Sequence, residues 1–214
     1  MRTLYFGYIS PYSRKIRVAL AEMGLDFKAE SIQAAQAPSS FNALNPCRRV
    51  PALMDGEQAL FESNDIIEYL LRTYPGSEPS SPAPDGIPFA TELARADNYW
   101  FDRQTLSGIE TMLDSGLTLL QLRNNGITAD QSEYLARERS RIDVILDWLD
   151  SRGTPEGFIP GRFSIQDMNL VIAVQWSDYR SMFEWRGRPN LEAIVERYRN
   201  RISIATTVPE LAPV

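Results

Sequence analysis

The segment Val50-Pro51-Ala52-Leu53-Met54-Asp55-Gly56 limits what this chain can fold into more than any other. Proline cannot donate to a strand ladder, so in a sheet it stands at a strand's first residue, on an edge or at a bulge. An apolar run follows Pro51 and stops at Asp55-Gly56, which predicts a strand beginning at the proline. Asp-Gly between hydrophobic runs is the strongest short-range hairpin signal, and it predicts a return strand over Gln58, Ala59, Leu60 and Phe61. Glu62-Ser63 ends that strand, with Ser63 expected as N-cap of a helix whose apolar face is Ile66, Ile67, Leu70 and Tyr74. A strand that starts on proline leaves the Val50 backbone available to something other than the sheet, such as an extended peptide. The bond before a proline is also the one peptide bond that adopts cis at modest cost. An open strand edge beside a helix N-terminus can hold a small peptide and its carboxylate.

The flanking chain fits around this hairpin. Residues 3–7 are apolar and aromatic, as in a buried strand. Ser10-Pro11 reads as N-cap and first helical residue. Ile16, Ala19, Leu20 and Met23 then share one helix face that Gly24 stops. Residues 26–32 suggest a second strand and residues 38–44 a short helix. This order predicts one mixed sheet with helices on both faces.

Residues 75–86 are dense in Pro, Gly and Ser and read as a linker. Beyond it only helix patterns occur. Phe89, Leu93, Asp97, Trp100, Phe101 and Gln104 line a long helix that Gly108 and Gly116 are expected to interrupt. Thr128-x-x-Gln131 predicts a capping box for a helix bearing Leu135, Ile142, Ile145, Leu146 and Leu149. Ser164 and Asp167 should cap reciprocally a helix that is apolar almost all round, and therefore buried. Pro189 begins a last helix with Leu191, Ile194, Val195, Tyr198 and Ile202.

The net charge of −6 argues against binding a phosphate backbone. A single Cys, Cys47, excludes an intrachain disulfide framework and fits a reducing compartment. No apolar run approaches membrane-spanning length, and the expected location is cytoplasmic. The chain has no His, which removes Ser-His-Asp and Cys-His catalysis and the common zinc sites. Chemistry here has to come from hydroxyls, carboxylates, backbone dipoles or a bound small molecule, and no metal is expected.

Taken together, Asn45-Pro46-x-x-x-Val50-Pro51-Ala52-Leu53, the Asp55-Gly56 hairpin and Leu60-Phe61-Glu62-Ser63-x-x-Ile66-x-x-Tyr69-Leu70 resemble the glutathione-binding half of cytosolic glutathione transferases. The resemblance extends over nearly the whole chain and is nearest to serine-type classes such as zeta and theta. It implies an α/β plus all-α fold. A thioredoxin-like domain with a mixed four-stranded sheet would span residues 1–76, a Pro-rich linker 77–88, and an all-helical C-terminal domain 89–214.

The implied activity is conjugation of glutathione, as co-substrate, to a small hydrophobic electrophile by a symmetric homodimer, without nucleic acid or membrane partners. Isomerase, peroxidase or dehalogenase chemistry, or a non-catalytic binding module, are the alternatives the family admits. Ser10-Pro11-Tyr12-Ser13 stands where related redox proteins carry Cys-Pro-Tyr-Cys, so dithiol chemistry is not available. The resemblance instead makes Ser10 the donor to the glutathione sulfur, with Tyr8 as second choice and Tyr5 a rival that strand position assigns to the core. A donor aimed at a thiolate lowers its pKa, and the following helix N-terminus acts in the same direction.

By the same resemblance the Val50 backbone, with Pro51, pairs with the cysteinyl part. Glu62 and Ser63 hold the γ-glutamyl end, and Arg49 lies beside the glycyl carboxylate. Arg48 occupies a position often held by glycine and reads as part of a solvated basic turn. Cys47 reads as a buried or inert thiol, with glutathionylation as the alternative. The electrophile pocket is expected between the domains, with Ile9, Phe101 and Met112 among its lining.

Overall fold

The protein is described by a computed structural model covering residues 1–32, 39–77 and 85–209. It divides into two compact units, Met1–Leu93 with Arg201–Val214, and Ala94–Asn200.

The first unit contains β1 (Arg2–Phe6), α1 (Pro11–Glu22), β2 (Phe27–Ser31), α2 (Ser39–Leu44), β3 (Ala52–Asp55), β4 (Gln58–Phe61) and α3 (Ser63–Thr73). The sheet order is β2-β1-β3-β4. β1 and β2 run parallel, while β1–β3 and β3–β4 are antiparallel, with Tyr5 opposite Ala52 and Ala52 opposite Phe61. Side chains alternate across β1. The Arg17 guanidinium of α1 covers the ring of Phe6 on one face, and Tyr5 meets Phe41 of α2 on the other, ring centroids 5.7 Å apart. The core between sheet and helices holds Leu4, Phe6, Ile16, Leu20, Leu53, Ile66 and Ile67, all buried. Each such side chain contributes about 1.5–3 kcal/mol through removal from water.

The second unit is helical: α4 (Tyr99–Asn124), α5 (Glu133–Arg152), α6 (Ile165–Arg180) and α7 (Pro189–Tyr198). α4 runs unbroken through Gly108 and Gly116, contrary to the expected interruption. Both glycines are points of close approach. A Cβ on Gly108 would lie 2.6 Å from the Trp148 ring, and one on Gly116 would lie 3.1 Å from Phe183 and 3.2 Å from Trp176. Each glycine costs the helix about 1 kcal/mol against alanine, and tight packing against aromatic rings offsets that. The Thr128–Gln131 pair also differs from expectation. Gln131 Oε1 accepts from Thr128 N–H at 2.8 Å, but the pair closes a short 3₁₀ turn, and α5 starts beyond it with Ser132 as N-cap.

At the start of α6 the reciprocal caps form as expected. Asp167 N–H donates to Ser164 Oγ and Ser164 N–H to Asp167 Oδ2, both at 3.0 Å, while Oδ1 accepts from Phe158 N–H at 2.9 Å. Gly157, at φ +120°, presses on this carboxylate, and a Cβ there would sit 2.9 Å from Asp167 Oδ2. Gly157→Ala is therefore expected to cost about 1–3 kcal/mol, from strain at positive φ and displacement of the cap. A lower urea midpoint at unchanged slope would show it; an unchanged midpoint would refute it.

Burial pushes the Asp167 carboxyl up to about 6, against the hydrogen bonds from Ser164 and Phe158 that pull it down. In the unfolded chain this group titrates near pH 4. Between about pH 4 and about pH 6 the folded protein holds the extra proton, so this contribution to stability is full below that window and is lost as pH rises through it. Asp167→Asn should remove that component. Identical pH dependence of the urea midpoint in both proteins would count against it.

After α7 the chain leaves the helical unit. The apolar spacing predicts one last helix through Ile202, yet α7 stops at Tyr198 and Ile202 opens a separate short helix, α8 (Ile202–Ala205), where it is exposed. The segment packs on α1 in the first unit. Arg201 makes a bidentate pair with Glu22 at 2.7 and 2.8 Å, donates through Nη1 to Asp85 at 2.9 Å and through Nη2 to Ile87 C=O at 3.0 Å, while Ser203 Oγ donates to Glu22. Arg14 of α1 donates to Ile204 C=O at 2.9 Å and Thr207 Oγ1 at 3.2 Å. Burial, with Arg17 nearby, lowers the Arg14 guanidinium to about 10.

Candidate functional site

The strand register assembles the site. β1 ends at Phe6, β3 begins antiparallel to it at Ala52, and β4 ends opposite Ala52 at Phe61. The C-terminal end of β1, the N-terminal end of β3 and the C-terminal end of β4 thus share one end of the sheet. The chain leaving β1 runs through Gly7, Tyr8 and Ile9 to Ser10. The chain entering β3 brings Val50-Pro51, and the chain leaving β4 brings Glu62-Ser63. Gly7 lies between two of these: a Cβ there would be 3.5 Å from Val50 Cγ2 and 3.6 Å from Ser10 Cβ.

Ser10 is the N-cap of α1, as the Ser-Pro pair predicts. Its Oγ accepts from Ser13 N–H at 3.2 Å, and Pro11 fills the first helical position. The buried Ser13 hydroxyl accepts in turn from Gly7 N–H at 3.2 Å, tying the helix start to the end of β1. Capping uses a lone pair of the Ser10 oxygen and leaves its O–H as a donor. The first turn of α1 holds no acidic residue, and Arg14, Lys15 and Arg17 follow on the same helix. A small anion such as a thiolate would meet an O–H donor and a positive helix end here.

Tyr8 packs edge-on against Phe6 with centroids 4.9 Å apart, and the Arg17 guanidinium stands over its ring. Tyr5 faces Phe41. The Val50-Pro51 bond is cis. Val50 lies outside the ladder, which starts at Ala52, and its backbone N–H and C=O have no hydrogen-bond partner among the described residues.

Glu62 corrects one expectation. It, and not Ser63, is the N-cap of α3, at φ 66° and with no side-chain capping bond; buried Ser63 is the first helical residue. Its own backbone turn, rather than a capping side chain, carries β4 into the helix. Glu62 is exposed directly before the first turn of α3, whose leading N–H groups have no intrahelical acceptor. A carboxylate beside a helix N-terminus offers one group for an ammonium and another for an anion.

Arg48 adopts φ 53°, which explains on steric grounds why glycine suits that position. Arg49 and Cys47 are exposed on the same turn. Ile9 is half-buried in the turn before Ser10. Phe101 and Met112 belong to the helical unit. Phe101 stacks under the Arg152 guanidinium at 3.8 Å, and Met112 is fully buried there.

A cavity of about 520 Å³ lies instead at the C-terminal ends of α1 and α3, lined by Met23, Leu71, Tyr74 and Phe89 among others, and holds none of the site residues. Among the described residues no group of three or more His, Cys, Asp or Glu is placed to hold a metal, and no helix is long and apolar enough to cross a membrane.

The family model for the glutathione S-transferase N-terminal domain matches residues 4–78. Glutathione S-transferase Z2 of Arabidopsis thaliana is 34% identical over 214 residues, covering 98% of this chain and 92% of that protein. A stringent starvation protein A homolog of Coxiella burnetii is 37% identical over 73 residues, which are 34% of this chain and 35% of that one. In fold, the chain superposes on a glutathione S-transferase of Methylobacterium radiotolerans in complex with glutathione sulfonate. The TM-score is 0.80 at 24% identity, with 100% of this chain and 97% of that one covered. With a relative of that identity along nearly its full length, and with this sheet and helical unit, the chain belongs to the glutathione S-transferase family.

Proposed function

We propose that this protein is a glutathione transferase in which Ser10 activates the thiolate of glutathione for attack on a small hydrophobic electrophile. The observation that carries the reading is the meeting of three features at one end of the sheet: a capping hydroxyl with its proton to donate, a Val50 backbone with no partner among the described residues, and Glu62 at a helix N-terminus. The Val50 N–H and C=O pair with the cysteinyl residue as an added strand would. Glu62 takes the γ-glutamyl ammonium, Ser63 and the α3 N–H groups take its carboxylate, and Arg49 takes the glycyl carboxylate. Held there, the sulfur accepts the Ser10 proton as a hydrogen bond at the positive end of α1, which favours the charged nucleophile. Attack forms a carbon–sulfur bond, and the leaving group departs with its electron pair or an activated double bond accepts them. Ile9, on the same turn as Ser10, is the pocket residue this unit supplies.

Titration calorimetry with glutathione, followed by turnover of chlorodinitrobenzene, tests the reading. Binding with conjugation is expected. A folded protein that shows no heat of binding and is not retained on immobilised glutathione would overturn it. That outcome would favour a non-catalytic binding module on the same fold. Binding without conjugation would turn the search to isomerase, peroxidase or dehalogenase substrates. A symmetric homodimer is expected, and sedimentation showing only monomer at micromolar concentration would refute that.

A further inference from the structure

The turn before Val50 is held by one buried side chain. Asn45 is 1% exposed, and its carboxamide is used at both ends: Oδ1 accepts from Cys47 N–H at 2.9 Å, and Nδ2 donates to Arg49 C=O at 2.6 Å. Its backbone C=O also accepts from Arg48 N–H at 3.0 Å. Three bonds from one residue therefore fix the backbone of the next four, and they hold Arg48 at φ 53°, where a residue with a side chain is not at ease. The residue these bonds deliver, directly after Arg49, is Val50.

We infer that Asn45 is a positioning residue for glutathione, acting through the turn it clamps on the backbone of Val50 and the side chain of Arg49. The inference rests on the glutathione reading above. Asn45 does not touch the ligand; it sets where two of the ligand's partners stand. Other residues cannot replace the carboxamide. Aspartate lacks the donor for Arg49 C=O, alanine lacks both groups, and glutamine places them a methylene too far out. Ser10 sits on a different segment, held by Ser13 and Gly7, so its hydrogen bond to sulfur does not depend on this clamp. Loss of Asn45 should weaken capture of glutathione and spare the activated thiolate once the site is filled.

The test compares the wild type, Asn45→Ala, and Asn45→Ala combined with Arg48→Gly, by titration calorimetry with glutathione and by steady-state kinetics. For Asn45→Ala the dissociation constant and KM for glutathione are expected to rise about 10-fold or more, with kcat within about twofold of wild type. Adding Arg48→Gly removes the cost of positive φ and should recover part of the affinity, by about threefold. A residue that serves only stability would show neither the split between KM and kcat nor the rescue. Should Asn45→Ala not fold, Asn45→Asp keeps the acceptor for Cys47 N–H but sets an oxygen against Arg49 C=O, and a similar loss of affinity is expected. Wild-type affinity in either variant, or kcat falling in step with affinity, overturns the inference while leaving the glutathione reading intact. Absence of glutathione binding by the wild type overturns both.

Discussion

Ser10→Ala is expected to slow thiolate-dependent turnover near neutral pH by about 10- to 150-fold, because losing a donor to a charged acceptor costs roughly 1.5–3 kcal/mol. The bound thiol should titrate at higher pH, while glutathione affinity changes little, since in the proposed reading Val50, Glu62, Ser63 and Arg49 hold the peptide. The same substitution removes the acceptor for Ser13 N–H, so a stability loss of about 1 kcal/mol accompanies it. Ser10→Gly separates the two effects. Glycine at an N-cap costs only a few tenths of a kcal/mol, yet it too lacks the hydroxyl. Both variants should therefore share the titration shift and differ in thermal stability. The ultraviolet absorbance of the thiolate, followed against pH, reads this directly. If the midpoints coincide with wild type while activity persists, Ser10 is not the activating group, and Tyr8→Phe becomes the next comparison.

Removing Arg201 should cost more stability than any other change considered. The Arg201 and Glu22 side chains are 2% and 5% exposed, and Arg201→Ala would leave the Glu22 carboxylate buried with Ser203 as its remaining side-chain donor among the described residues. Breaking a buried pair in this way costs about 3–5 kcal/mol, and for a chain of this size roughly 6–20 °C in Tm. Replacing both partners with apolar residues, Arg201→Met with Glu22→Leu, should recover much of the loss, because the cost lies in the stranded charge. A single-variant loss below about 1 kcal/mol would mean that water reaches Glu22 and that the pair behaves as a surface ion pair.

Several parts of this structure follow from residues a few positions apart. Asp55-Gly56 turns β3 into β4, and Ser10-Pro11 opens α1. The period of Ile16, Ala19, Leu20 and Met23 gives a buried face, and Ser164 with Asp167 caps α6. These are short-range effects of backbone sterics, capping and side-chain period, and each can be read without knowing what lies across the fold. Two local features of the candidate site are legible for the same reason. Ser10 is a cap by local rule, and Val50 escapes the ladder because of the proline next to it. The Asn45 clamp was also within reach, since an Asn side chain that bonds a backbone N–H two residues on is a local turn device.

Contacts between distant residues decided the remainder. Gly108 and Gly116 look like helix breakers until Trp148, Trp176 and Phe183 are seen against them. Glu62 takes the cap of α3 from Ser63 because β4 must turn into α3 at that point, and its φ of 66° is what the turn imposes. Residues 201–207 directly follow the last helix of the second unit in sequence, and nothing local assigns them to either unit. Their place was fixed by Glu22, 179 positions away, and by Arg14. A buried charge must find its partner wherever the fold brings one. That requirement has no period and no local signature, so only the tertiary structure states it.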